Sequence, residues 1–451
     1  MTAIAQPSAQ STVRDKRRVL LAALSGTTIE WYDFYLYGTA AALIFNAQFF
    51  PSENAFASTM ASFASLAVGF LARPIGGIIA GHLGDRIGRK SLLVASLILM
   101  GVGSTLIGLV PNYAAIGWWA PAALVVLRLV QGLAAGAEWG GSALLSVEHA
   151  PARRRGLFGS FTQIGSAAGM LLATGAFVIV QAATTEAQFA AFGWRIPFLA
   201  SAVLVAVGLW IRLGVHDAPE FTAVKEAGET DRVPVLTVFR HHWRPLLVTI
   251  AQRIAQNSVY FLITVYVLSY LVQTHGDKEA GVNAVMIGSA VGLFTAPFWG
   301  WLSDRVGRKS VTVFGYVAIG VFGWIFFGYL STGALALLPV LMILGMNVAH
   351  DSVYGPQAAW FAEQFPVEVR YSGVSLGYQL GSVIGGGIMP MVAALLFQVG
   401  GNTPWLICGY LTFIAAVSLT ATFLARDPYG AGLKAARTGR VAPAAKIPET
   451  A

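Results

Sequence analysis

Charge is what this sequence has least of: 11% of its 451 residues are Asp, Glu, Lys or Arg, against about 25% in ordinary globular proteins. A water-facing surface for a chain of this size needs more than that, which argues against a soluble enzyme or binding module. Disorder is excluded for the opposite reason, since 56% of the residues are hydrophobic and disordered chains are poor in such residues. The single cysteine, Cys408, allows neither an intrachain disulfide nor a cysteine-based zinc site and is expected to serve in packing. No Walker loop and no HExxH pattern occurs, so no ATP site, metal site or cofactor is expected. Gly373-Val374-Ser375-Leu376-Gly377 fits the nucleophile-elbow spacing, but it lies in a Gly-rich helical stretch rather than at a strand-to-helix turn. An enzyme is therefore not expected. Residues 1–18 also lack the short apolar core and small-residue cleavage site of a cleaved signal peptide.

What the chain has in abundance is apolar length. A helix crossing the hydrocarbon needs about 20 mainly apolar residues. Windows of that size give twelve candidates, at 19–45, 57–84, 91–110, 116–145, 157–181, 195–213, 245–273, 282–303, 310–330, 334–361, 371–397 and 404–425. The fold class expected is an all-α integral membrane protein with twelve transmembrane helices.

The net charge of +8 would suggest a nucleic-acid partner in a soluble chain. Its distribution says otherwise. Of 29 basic residues, 24 fall in the termini and alternate loops, counting Arg212 at the span end that adjoins one of them, only Arg195, at the opposite end of that span, and Lys278 fall on the other side, and Arg73, Arg128 and Arg253 lie deep within spans. Positive residues stay on the cytoplasmic side of short loops, so both termini are expected in the cytoplasm. The partner implied is a lipid bilayer, with no nucleic acid. The resulting plan is a cytoplasmic tail (1–18), a first six-helix half (19–213), a cytoplasmic linker (214–244) with Pro219 and Pro234, a second half (245–425) and a cytoplasmic tail (426–451).

The halves repeat one another. Gly81-His82-Leu83-Gly84-Asp85-Arg86-Ile87-Gly88-Arg89-Lys90 recurs as Gly300-Trp301-Leu302-Ser303-Asp304-Arg305-Val306-Gly307-Arg308-Lys309, 219 residues later. A weaker echo joins Glu148-x-x-Pro151-x-x-x-Arg155 to Glu363-x-x-Pro366-x-x-x-Arg370. Parallel repeats of six spans are a recurring plan of secondary transporters, with the substrate site at the midplane between halves.

The doubled Gly-x-x-x-Asp-Arg-x-Gly-Arg-Lys loop resembles the signature of the major facilitator superfamily, and the resemblance covers residues 19–425. Three further stretches are similar to the metabolite:proton symporter family, which includes transporters of shikimate, 2-oxoglutarate, citrate and proline/betaine. They are Glu30-Trp31-Tyr32-Asp33-Phe34, Arg73-Pro74-Ile75-Gly76-Gly77, and Arg128-x-x-Gln131-Gly132 followed by Gly136-x-Glu138-Trp139-Gly140-Gly141. Asn347-x-Ala349-His350-Asp351 and Tyr371-Ser372-Gly373-x-x-x-Gly377-Tyr378-Gln379 resemble its shikimate-type branch.

The resemblance implies a bacterial inner-membrane protein, taken here as a monomer, that moves a small metabolite with protons by alternating access. It also implies cytoplasmic gates in which Asp85 and Asp304 hold charge-relay contacts, with Gly81, Arg86, Arg89, Gly300, Arg305 and Arg308 completing the two copies. Plain positive-inside anchoring explains the arginines of these loops but not their aspartates or glycines.

An ionisable group at midplane costs about 2.5–3.5 kcal/mol on insertion scales and is a functional hypothesis by default. Such groups sit on spans one, four, seven and ten, which line the central cavity in the family resembled: Glu30 and Asp33, Arg128 and Glu138, Arg253, and His350 with Asp351. Glu30 and Asp33 point within about 60° of one another on a helix. Asp33, Glu30, Glu138 and Asp351 are thus the proton-coupling candidates, with Asp33 and Arg128 as the preferred pair. The competing reading is that these are buried ion pairs locking helices together.

Arg128 and Arg253, one in each half, offer forked donors suited to a carboxylate, which points to an organic anion. Gln131, Tyr32, Tyr260, His350, Tyr354 and Gln379 complete the expected substrate set. The aromatics Trp31, Tyr32, Tyr35, Tyr37, Trp139, Tyr260, Tyr354 and Trp360 support an alternative, a zwitterionic osmolyte such as proline or glycine betaine held by cation–π contact. Arg73, beside Pro74, reads as structural, snorkelling or capping backbone freed by the proline. Gly165-x-x-x-Gly169 and the Gly377, Gly381, Gly385 stripe serve either as sliding surfaces or as plain helix packing. Span five lacks the Gly-Pro pair associated with antiporters in the superfamily, which favours symport. A receptor that binds without transport and a channel are the rival classes, and neither needs paired gates.

Overall fold

With no water in hydrocarbon, every backbone N–H and C=O of a spanning segment must be satisfied within it, and a helix does this one residue at a time. The structure, a computed structural model, accordingly consists of helices, with no strand among the described residues. Those are residues 13–87, 89–148, 150–213, 234–427 and 429, with side chains described except at 13–19, 81–91, 152, 212–213, 234, 278 and 368.

The long helices are α1 (Val13–Ala40), α2 (Ala55–Ile87), α3 (Arg89–Leu109), α4 (Trp119–Glu148), α5 (Arg155–Ala183) and α6 (Arg195–Leu213) in the first half. The second half holds α7 (Trp243–His275), α8 (Lys278–Val306), α9 (Arg308–Leu330), α10 (Asp351–Gln364), α11 (Arg370–Val399) and α12 (Trp405–Leu424). Among the described residues, nine helices are long and apolar enough to cross a membrane, or ten if the bent pair Glu186–Gly193 and Arg195–Ile211 is one span. The helical runs that contain α1 and α10 fall outside this set because polar residues, Glu30 and Asp33 in one and Asn347, His350 and Asp351 in the other, lower their hydropathy in mid-helix. Their polarity marks the site rather than a break in the fold.

The two halves share local geometry as well as sequence. Pro151 and Pro366 each lead into a single 3₁₀ turn, Ala152–Arg154 and Val367–Val369, from which α5 and α11 start at Arg155 and Arg370. A π-helical turn continues α1 at Ala41–Phe45, and another lies within α7 at Leu262–Tyr266. A longer one, Leu344–His350, leads into α10 and carries Asn347 and His350, in keeping with the association of π-bulges with functional positions.

The halves meet mainly through α5 against α8 and α10, and through α2 and α4 against α11. The Gly165 and Gly169 stripe does not lie on this seam. It packs on α1, where a Cβ at Gly165 would sit 2.1 Å from Thr27 Oγ1, and Gly381 packs likewise on Arg253 of the same half. The outward faces carry apolar residues such as Phe294 and Val203, 76% and 66% exposed. Residues 214–233 of the expected linker lie outside the description, and its end forms the short helix Pro234–His241 with Val238 buried against the second half. Cys408 is buried, its thiol donating to the Gly323 carbonyl.

Candidate functional site

Among the described residues, one small polar cavity lies within the first half and another lies where the halves meet. The first is lined by Glu30 and Asp33 of α1, Arg73 of α2, and Arg128 and Gln131 of α4. The helix spacing that places Glu30 and Asp33 on one side of α1 therefore does bring both to a single cavity with Arg128. Asp33 accepts a hydrogen bond from Ser201 through Oδ1 at 2.8 Å, and its Oδ2 has no hydrogen-bond partner among the described residues. Arg128 donates from Nη1 to Gln131 Oε1 at 2.9 Å and lies 3.5 Å over the Tyr37 ring. Gln131 is held in turn by Ser104 at 2.6 Å. Asp33 and Arg128 share the cavity without an ion pair.

Glu30 has a partner that its sequence position did not suggest. Arg73 Nη1 lies 3.2 Å from Glu30 Oε1, both side chains being fully buried. The Arg73 guanidinium is also 4.8 Å from the Phe34 ring and 4.8 Å from the Phe70 ring. It therefore neither snorkels to an end of α2 nor serves the backbone at Pro74. A proline one residue on made a structural role the natural reading, whereas the acid three residues before Asp33 was the signal that a second cation is needed.

The second cavity is lined by Gln163 and Ser166 of α5, Tyr260 of α7, Asn347 and His350 of the π-helical turn, and Asp351 and Tyr354 of α10. His350 Nδ1 is 2.8 Å from Asp351 Oδ1, while Asp351 Oδ2 accepts from Thr295 Oγ1 at 2.5 Å and Asn347 Nδ2 at 3.2 Å. The Tyr260 and Tyr354 rings lie 4.3 and 4.8 Å from the His350 ring. Arg253 approaches this cluster from α7. It donates to Ser382 Oγ at 3.0 Å, to Gln357 Oε1 at 2.8 Å and to Gln256 Oε1, and it lies 3.8 Å over Tyr378. Gln256 also bonds His350 Nε2.

Gln256, Gln357, Ser382 and Tyr378 were absent from the expected set. One signal was available, since Arg253-x-x-Gln256 repeats the Arg128-x-x-Gln131 spacing and both pairs make the same hydrogen bond.

Three expected residues are placed elsewhere. Tyr32 turns its hydroxyl to the Pro197 carbonyl at 2.7 Å within the first half. Glu138 accepts from Ser142 at 2.9 Å and Ser96 at 3.3 Å, joining α4 to α3 away from both cavities. Gln379 donates to the Gly136 carbonyl at 3.4 Å, which joins α11 to α4 across the halves.

At one end the seam is closed by polar contacts. Asp304 accepts from the backbone N–H groups of Gly156 and Leu157, both at 2.9 Å, and so caps the first turn of α5 from the opposite half. Arg308 fixes that carboxylate at 2.7 Å and reaches Glu363 at 3.3 Å. Gly300 and Gly156 let the two backbones approach, for a Cβ on Gly156 would lie 2.5 Å from the Gly300 carbonyl. Tyr429 closes over Arg308 at 4.4 Å and donates to the Asp304 carbonyl at 2.9 Å. Arg305 is exposed and lies over Trp301 instead. The first copy, Gly81, Asp85, Arg86 and Arg89, falls among residues whose side chains are not described. At the other end a larger cavity of about 430 Å³ opens among Asn46, Ser52, Ser58, Thr59, Ser269 and Gln273. Each of the two small cavities measures about 10 Å³, room for roughly one water molecule.

Residues 23–377 match the family model described as Major Facilitator Superfamily. The chain belongs to the major facilitator superfamily. Among its relatives, the shikimate transporter of Escherichia coli K12 is 39% identical over 414 residues, covering 91% of this chain and 94% of the relative. The proline/betaine transporter of the same strain is 32% identical over 433 residues, covering 93% and 85%. These relatives agree with the metabolite:proton symporter motifs. The crystal structure of the major facilitator proton:xylose symporter XylE with 6-bromo-6-deoxy-D-glucose has a TM-score of 0.73 at 18% identity, covering 92% of this chain and 96% of that one. At that identity the likeness establishes the fold. This major facilitator protein is thus a multi-pass membrane transporter of small metabolites rather than an enzyme.

Proposed function

We propose that this transporter is a proton-coupled symporter that imports an organic acid anion by alternating access. Its twelve helical spans lie in the bacterial inner membrane with both termini in the cytoplasm, as the asymmetric distribution of Lys and Arg supports. The observation that carries the proposal is the state of Arg128 and Arg253. Both guanidinium groups are fully buried, neither has a carboxylate partner among the described residues, and Arg128 Nε and Nη2 and Arg253 Nη2 donate to no acceptor there. A buried cation in that state is expensive unless a ligand completes it. A carboxylate fits the planar fork of an arginine.

Proton coupling follows from charge balance in the first cavity. Glu30 is balanced by Arg73, which leaves Asp33 to balance Arg128 at a distance. A carboxylate that docks on Arg128 adds a negative charge to a small, dry space, and a proton on Asp33 restores the balance. Substrate and proton therefore travel together. Asp304, capping α5 from the opposite half, keeps the cytoplasmic side shut. Asp85 is assigned the same task on the other half through the repeat.

The zwitterionic osmolyte reading has a proline/betaine relative in its favour, but the aromatic faces are already committed. Tyr37 and Tyr378 lie under Arg128 and Arg253, Tyr260 and Tyr354 flank His350, and Trp31 stacks on Tyr35 at 5.2 Å. These rings, among the described residues, leave no free cage for a quaternary ammonium.

A thermal-shift screen of the purified protein against shikimate, aromatic acids, 2-oxoglutarate, citrate, proline and glycine betaine at two pH values tests the substrate class. Stabilisation by carboxylates is the expected result. Stabilisation by proline or betaine alone would overturn the anion assignment.

A further inference from the structure

Hydrogen-bond polarity fixes how Arg253, Gln256, His350 and Asp351 are wired. Arginine has donors only, so Gln256 must turn its amide oxygen toward Arg253 and its NH₂ toward His350 Nε2. His350 Nε2 is then an acceptor and carries no proton. The ring proton sits on Nδ1 and is donated to Asp351 Oδ1 at 2.8 Å. Asp351 completes the chain as an acceptor from Thr295 and Asn347.

This wiring cannot survive a second proton on the ring. A protonated Nε2 would face the Gln256 NH₂, donor against donor, and the amide would have to rotate by half a turn to offer its oxygen to His350. Its NH₂ would then confront Arg253, again donor against donor. Arg253 would lose one of its three acceptors, keep Gln357 and Ser382, and have one N–H of Nη1 as well as the already unpartnered Nη2 free for another acceptor.

We propose that His350 is a second proton-binding group of this transporter, and that Gln256 is the positioning residue that converts protonation of His350 into release of Arg253 for a carboxylate. The proposal rests on the reading of Arg253 as part of the anion clamp. It adds a proton site in the second half, separate from Asp33 in the first, and gives the second half its own means of making anion binding depend on a proton. The groups around His350 are few. Asp351 and Tyr354 lie on its own helical run, Arg253 and Tyr260 on α7, and Tyr316 of α9 turns its hydroxyl to the Gln252 carbonyl. The neighbouring α5 and α8 contribute Gln163, Ser166 and Thr295, none of which titrates near neutrality.

The first arm of the test needs no ligand. In protein labelled with ¹⁵N-histidine, the His350 signal is the one missing from His350→Gln or, should that variant not fold, the one displaced in Gln256→Leu. The neutral ring is expected to hold its proton on Nδ1 with Nε2 bare, and a proton on Nε2 would overturn the relay. The second arm uses shikimate as the probe in an Asp33→Asn background, which removes the first proton site. Shikimate is expected to bind at least fivefold more tightly at the acid end of the His350 titration than at the alkaline end, with Gln256→Leu flattening that dependence. Affinity that stays pH-independent with Gln256 intact would overturn the proposal. If shikimate fails to bind at any pH, the failure belongs to the substrate assignment, and the tautomer still decides the relay.

Discussion

Asp33 and Arg128 line one cavity without touching, the carboxylate taking its hydrogen bond from Ser201 while the guanidinium lies on Tyr37 and donates to Gln131. A charge held near its counter-charge, but not locked to it, is suited to exchange a proton for a substrate.

The first consequence concerns coupling. Asp33→Asn removes the exchangeable charge of the first half and leaves the clamp in place, so accumulation against a gradient is expected to fall sharply while counterflow continues. Uptake and counterflow in proteoliposomes separate the two, and normal accumulation in the variant would remove Asp33 from the proton path.

The arginines are expected to differ in kind. Arg128→Lys replaces a fork by a point charge, and since a charge-assisted hydrogen bond is worth about 1.5–3 kcal/mol, anion affinity should fall tenfold or more with little loss of stability. Arg73→Met breaks the buried pair with Glu30, which costs about 3–5 kcal/mol for a pair of this kind, and should appear as a lowered unfolding temperature that Glu30→Gln largely restores. Thermal unfolding and ligand titration of the four variants test both statements.

At the gate, Asp304→Ala removes the cap on α5. Helix caps are worth about 0.5–2 kcal/mol, which corresponds to a shift of about two- to thirtyfold toward the open state. The rate at which Ser160→Cys, in a Cys408→Ser background, reacts with a thiol reagent from the cytoplasmic side should rise by that factor. An unchanged rate would mean that Asp304 does not hold the seam.

Tyr378 joins three features: it lies under Arg253, stacks on Trp139 of the opposite half at 3.4 Å, and belongs to the shikimate-type motif. Tyr378→Phe keeps both ring contacts and should bind anions nearly normally. Tyr378→Leu loses a cation–π contact worth about 0.5–2 kcal/mol and should weaken binding by about two- to thirtyfold in the same titration.

How much of this was legible in the sequence depends on the physics that wrote each part. The helices were, because hydrocarbon demands long apolar stretches and the duplicated loop repeats the plan. The carboxylates on α1 were, because two acids three residues apart share a helix face. The role of Arg73 was not, for its partner Glu30 is 43 residues away on another helix and only packing brings them together. The surroundings of Glu138 were hidden for a related reason: a midplane carboxylate is a site candidate by cost alone, and only packing brings Ser96 and Ser142 to it. Gln256 escaped notice because an amide carries no charge, although its spacing from Arg253 matches that of Gln131 from Arg128. That Asp304 caps α5 was not legible, since the backbone N–H groups of Gly156 and Leu157 that donate to it leave no trace in the sequence.

The central claim, a proton moving with an organic anion, is tested most directly by labelled shikimate, proline and glycine betaine in proteoliposomes under an imposed gradient, acid on the periplasmic side. Shikimate is expected to accumulate and to be released by a protonophore, with neither osmolyte accumulating. Accumulation of proline or betaine without shikimate, or shikimate accumulation indifferent to the protonophore, would contradict it.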